Sequence, residues 1–197
     1  MKSTGFRIAA AIAVTIGLAG VGTAPAAALD SAEAGNATES CWTDVSLNQS
    51  LCVPAESDLF AKVLEEKGVR IINTEPVVIG GELIPASAES HGALSSREAA
   101  PLAATVRAIL YDDINYGGGS HVVTASGGCV AGAPELVIYS LHGLGWGDRA
   151  SSFRTYAGCV GRMYSETGGG GATYGFTSTA PQLYALNDQG SSFGTRA

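Results

Sequence analysis

Positive charge is scarce in this chain. Only 11 Lys and Arg stand against 18 Asp and Glu, which excludes nucleic acid and anionic membrane as expected partners, because both need basic surface to displace counterions. Long apolar runs are scarce too, and none after Gly22 approaches the length of a membrane span. The four cysteines include no CxxC pair. His91, His121 and His142 are scattered, with no HExxH, no GxSxG and no nucleophile set beside a base. These absences remove the common zinc, hydrolase and protease signatures and favour a protein that is not an enzyme. The glycine-rich C-terminal half also has no stretch long enough for a crossover helix between its β-prone runs, which excludes a parallel α/β sheet.

What is present begins with an export signal. Lys2 and Arg7 precede the apolar run IAAAIAVTIGLAGVG at 8–22, and the small residues of TAPAAALD follow. Residues 1–28 are therefore expected to be removed, leaving 9 − 18 = −9 charges on a secreted, extracellular protein with no membrane anchor. In that compartment an even number of cysteines means disulfides. The short loop CWTDVSLNQSLC suits a hairpin closed at its ends by Cys41 and Cys52, which leaves Cys129 for Cys159.

Residues 29–40 are small and polar and are expected to be a flexible lead-in. Residues 41–86 form a disulfide-clasped segment. Within it, ESDLFAKVLEEKGV places Leu59, Phe60, Val63 and Leu64 on one helical face before a glycine stop, and VVIGGELIPA offers short strands around Gly80 and Gly81. Residues 87–104, rich in Ala and Ser, are expected to be a linker. Residues 105–197 alternate short β-branched runs with glycines, the pattern of an all-β sandwich or barrel.

That last region is written twice. LYDDINYGGGSHVVT at 110–124 aligns without a gap on MYSETGGGGATYGFT at 163–177, setting Tyr111 on Tyr164 and Gly118 on Gly171. The two copies are followed by GDRASSF and NDQGSSF, so the unit is an aromatic, a glycine seven positions on, and a box of acid, two spacers, Ser-Ser-Phe. Such a unit suits a folded-over hairpin. Gly118 or Gly171 would take a positive φ, the tyrosine would pack over the turn, and Ser152 or Ser192 would hydrogen-bond backbone opened by the bend.

At these residues the sequence resembles the βγ-crystallin family, whose unit is an aromatic, a glycine at the seventh position and a box of two Asn/Asp, two variable residues, Ser/Thr and Ser. The resemblance implies a Greek-key β-sandwich over residues 105–197, with the hairpin and helix as a small N-terminal extension. Asn187, Asp188, Ser191 and Ser192 match the second box throughout, whereas Gly147 departs from the first. In this family the box holds calcium through a side-chain oxygen, a carbonyl of a variable residue and the first serine, completed by a hairpin of the partner repeat. Carried over, the implied ligands are Asp188, Gln189 and Ser191 with the hairpin at Asp112, and Asp148, Arg149 and Ser151 with the hairpin at Ser165. Gly147 lacks an oxygen and Arg149 adds positive charge, so the first box is expected to be the weaker, and with few carboxylates per site one or two weak sites of about 10⁻⁵ to 10⁻³ M are expected. The implied role is structural or stress-related, outside the cell. A second implication is inhibition of a secreted metalloprotease, because bacterial metalloproteinase inhibitors are similar in export signal, fold and cysteines. On that reading the inhibitory loop would lie at 156–163, around Cys159 and Val160.

Overall fold

The computed structural model describes residues 39–87 and 101–197. The export signal, most of the lead-in and most of the linker lie outside the described residues. Two residues assigned to the lead-in, Glu39 and Ser40, open the first strand. Strands β1 (Glu39–Asp44) and β2 (Gln49–Pro54) form a hairpin in which Cys41 faces Cys52, and a disulfide joins them. Helix α1 (Leu59–Lys67) starts where the Asp58 carboxylate accepts from the Ala61 N–H at 3.0 Å. It stops where Gly68, at φ 66°, donates back to Leu64. Strands β3 (Val69–Ile72), β4 (Val77–Ile79) and β5 (Glu82–Ile84) follow, the last two as a hairpin around Gly80 and Gly81.

The repeats supply the remaining strands. The first gives β6 (Leu102–Tyr111), β7 (Ser120–Ala125), β8 (Leu136–Ile138) and β9 (Ser152–Thr155); the second gives β10 (Val160–Tyr164), β11 (Thr173–Thr177), β12 (Thr179–Ala180) and β13 (Ser192–Arg196). They do not form two closed sets. Strand β8 crosses to pair with β13 in the order β11-β10-β13-β8, and β12 crosses to pair with β9 in the order β12-β9-β6-β7. Each repeat thus lends its third strand to the other, which interlocks the two Greek keys.

The N-terminal segment is part of the same fold and not a separate appendage. Strand β1 adds in parallel to the free edge of β7, and β3 adds in parallel to residues 102–105 of β6, making one seven-stranded sheet. Because β3 pairs there, β6 starts at Leu102, inside the span expected to be linker.

Alternation along β6, with a bulge between Val106 and Ala108 that switches the face, explains why both faces of this sheet are buried. Ala108 and Leu110 point into the layer between the sheets, with Leu141, Trp146, Phe153, Met163 and Phe193. Val106, Ile109 and Tyr111 point the other way, against Trp42, Leu59, Val63, Val77 and Ile79 of the extension. At the centre of the sandwich the two box phenylalanines, Phe153 and Phe193, meet edge to face at 5.1 Å, each worth about 2–3 kcal/mol in burial. His121, one of the three scattered histidines, lies in β7 and is buried. It bonds Thr43 Oγ1 at 2.9 Å and stands edge-on to Trp146. Burial, aided by the Arg149 charge, holds its pKa down at about 3.

Candidate cation-binding site

The frame of the site is a pair of nearly identical turns. In the first, Ser152 Oγ accepts from the Tyr116 N–H at 3.0 Å and donates to the Asp113 carbonyl at 2.6 Å. In the second, Ser192 Oγ accepts from the Gly169 N–H at 3.0 Å and donates to the Glu166 carbonyl at 2.6 Å. Each hydroxyl closes the backbone that its folded hairpin leaves open. Gly118 and Gly171 have φ of 73° and 76°, and a Cβ there would stand 2.9 Å from Asp113 Oδ2 and 2.3 Å from Ser165 Oγ respectively. Asn115 and Tyr116, at φ 57° and 68°, correspond to Gly168 and Gly169 at 75° and 78°. The second repeat therefore writes glycine where the first spends strain on the same left-handed backbone. Tyr111 and Tyr164 are both buried over these turns. Tyr111 also donates to Val78 of the extension at 3.1 Å, Tyr164 to Glu135 at 2.7 Å, and burial raises both phenol pKa values.

The boxes come together, but with their serines exchanged. Ser151 Oγ donates to Asp188 Oδ1 at 2.7 Å, and Ser191 Oγ lies 3.5 Å from Asp148 Oδ1. The expected grouping of Asp188 with Ser191 and of Asp148 with Ser151 is therefore corrected. The boxes run side by side, with Asp148 N–H bonded to Gly190 and Asp188 N–H to Ala150, so each aspartate reaches the other box's serine. Both aspartates have left-handed backbone, at φ 56° and 54°, which turns their carboxylates toward the partner.

The two halves differ chemically. On the first-hairpin side an open cleft of about 720 Å³ is lined by Asp112, Asp113, Ile114, Asp148, Arg149, Ser151, Asn187 and Asp188. Asn187 donates to Asp188 Oδ2 at 2.8 Å, and its own Oδ1 is buried without a hydrogen-bond partner. An oxygen-rich lining with an orphaned amide oxygen fits a hard cation. Among the described residues no three His, Cys, Asp or Glu side chains converge, so hydroxyl, amide and backbone oxygens would carry most of the coordination. Asp112 is a poor direct donor, because Arg149 holds both its carboxylate oxygens at 3.1 and 2.9 Å.

On the other side the donors are already engaged. His142 Nε2 lies 3.0 Å from Ser191 Oγ and 3.8 Å from Asp148 Oδ2. Gly147 makes this arrangement fit, since a Cβ there would stand 2.0 Å from His142 Nδ1. The imidazole occupies the space of the missing box side chain. Serine and aspartate meet the same ring nitrogen, so the three residues do not form a nucleophile-base-orienter relay. Ser165 Oγ is likewise spent, accepting from the Ala172 N–H at 2.8 Å. Gln189 is exposed, with its N–H bonded to Leu186. Sequence reasoning missed His142 and the free oxygen of Asn187. The one available signal was a glycine replacing Asn/Asp with a histidine shortly before it.

Cys129 and Cys159 are bonded, tying the loop before β8 to the turn before β10. The segment suspected as an inhibitory loop is not free. Cys159 is only 5 % exposed, and Val160 opens β10 opposite Arg196.

No family model matches this chain, and no curated protein does. Solved structures do. A βγ-crystallin domain from Clostridium beijerinckii is 25% identical over 46% of this chain and 97% of its own, with a TM-score of 0.35. One from Flavobacterium johnsoniae is 29% identical over 46% and 93%, at 0.34. A beta gamma crystallin from Ciona intestinalis is 21% identical over 44% and 95%, at 0.34. Independently of those scores, the exchange of β8 and β12 and the twin serine locks make residues 102–196 a βγ-crystallin-like pair of Greek keys.

Proposed function

We propose that this chain is a non-catalytic extracellular module whose folded state is stabilised by calcium at the first-hairpin cleft. The observation that carries the reading is the unpartnered buried Asn187 Oδ1 beside the Ser151–Asp188 pair, in an oxygen-lined cleft. Asn187, Asp188 and Ser151 would hold the ion, with carbonyl oxygen from the 112–114 turn. Calcium would contribute a hard double charge that replaces a hydroxyl-carboxylate bond with shared coordination. Asp188 belongs to the second repeat and Ser151 to the first, so the residues on either side of the ion would be braced together. Two disulfides support the extracellular setting. The Ser191–Asp148 side, filled by His142, is read as a structural contact and not as a second site.

Thermal unfolding in chelator and in calcium tests this. Calcium at about 100 times its Kd adds about 2.7 kcal/mol, or about 5–10 °C at this chain length. Asp188→Asn should unfold at one temperature in both buffers. Identical melts of the wild-type protein in both would overturn the reading.

A further inference from the structure

We propose that Arg149 is a built-in counter-cation that sets the calcium affinity of the first-hairpin cleft; the proposal rests on the calcium reading above. The side chain is held at several points. Its Nε and one terminal nitrogen grip both oxygens of Asp112, and the other terminal nitrogen donates to the Gly145 carbonyl at 3.1 Å. That nitrogen also lies 3.8 Å from Glu39, and the guanidinium sits over the Trp146 ring, 4.5 Å from its centroid. A fork gripping a carboxylate that is 6 % exposed is not a mobile surface charge.

Two consequences follow for a divalent ion. Asp112 lines the cleft but its carboxylate is neutralised, so the strongest donor of the first hairpin is withheld. The guanidinium also repels a second cation entering the same cleft. The duplicated sequence supplies its own control, because the position equivalent to Arg149 in the second box is Gln189, which is polar and uncharged. The guanidinium, meanwhile, links the first box to the first hairpin, the turn at Gly145 and strand β1 through Asp112, Gly145 and Glu39, so these elements are joined with or without calcium.

The test is calorimetric titration of calcium chloride into wild-type protein, Arg149→Gln, Arg149→Lys and Asp188→Asn, with thermal melts in chelator to verify folding. Arg149→Gln should bind about tenfold more tightly, the effect of removing one charge near a dication in water-like surroundings. Arg149→Lys keeps the charge, though not the fork, and should stay within about threefold of wild type. Binding in Arg149→Gln with none in wild type would support the role of Arg149 while overturning calcium stabilisation of the wild-type protein. Equal affinities in wild type and Arg149→Gln, with Asp188→Asn inactive, would overturn the role of Arg149 and leave the calcium site standing. Absence of binding in both would overturn the two together. A change in chelator melting temperature without a change in affinity would show a structural ion pair only and would also overturn the proposal.

Discussion

Replacing Ser152 or Ser192 by alanine removes one hydroxyl and leaves two backbone groups of a folded hairpin without a partner. Both serines are completely buried, and in each turn the lost contacts have the same lengths, 3.0 Å to an N–H and 2.6 Å to a carbonyl. An unsatisfied buried group costs about 1–3 kcal/mol. The turns lie at the surface, where water reaches one side, so about 2–3 kcal/mol per substitution is expected. Urea unfolding in chelator measures it as a lower midpoint at unchanged slope. The two variants should agree within about 0.5 kcal/mol, because the turns are built alike, and Ser151→Ala, whose hydroxyl bonds only Asp188, should cost less than either. The reasoning is refuted if both losses stay below about 0.5 kcal/mol, or if only one repeat responds.

Other outcomes follow from the same structure. His121 is held neutral at a pKa of about 3 against an ordinary 6.5, so the unfolded chain binds its proton first. The His121 contribution to stability is full above pH 6.5 and is lost progressively as pH drops toward 3; urea midpoints at about pH 7 and 4.5 should differ less in His121→Gln. Removing the Cys129–Cys159 bond, which closes a sequence separation of 30, should cost about 3.5–4 kcal/mol on the loop-entropy account, measured by urea unfolding of the double alanine variant. Gly147→Asn with His142→Ala restores a box oxygen and clears the steric clash that a Cβ would make with the ring, and should raise calorimetric calcium stoichiometry from one to two; an unchanged stoichiometry would refute the view that His142 closes the second side.

The doubled unit was legible because its physics is local. A left-handed turn asks for glycine or asparagine at Gly118 and Gly171, and the serine that closes it must follow at a fixed place, so the alignment exposes both. The disulfides were legible for a similar reason, since the Cys41–Cys52 hairpin is short. The exchanged serines were not. A box reads as one continuous ligand set, and only the side-by-side course of two distant boxes carries Ser151 to Asp188 and Ser191 to Asp148. The parallel addition of β1 to β7 was equally hidden, because Trp42 meets Val122 across a long stretch of chain and no local pattern marks that pairing. Gly147 looked like a lost ligand, whereas the fold uses it as room for His142. Val160, expected in a loop around Cys159, instead opens the paired strand Val160–Tyr164 of the second sheet, a pairing with distant residues that no local pattern marks.

The most direct test is a crystal structure of the protein grown with calcium. The account predicts one ion on the first-hairpin side, with Asp188, Ser151 and Asn187 oxygens at about 2.3–2.6 Å and His142 still on Ser191. An ion between Asp148 and Ser191 with His142 displaced, or an empty cleft at calcium concentrations of about 10 mM, far above the expected Kd, would contradict it.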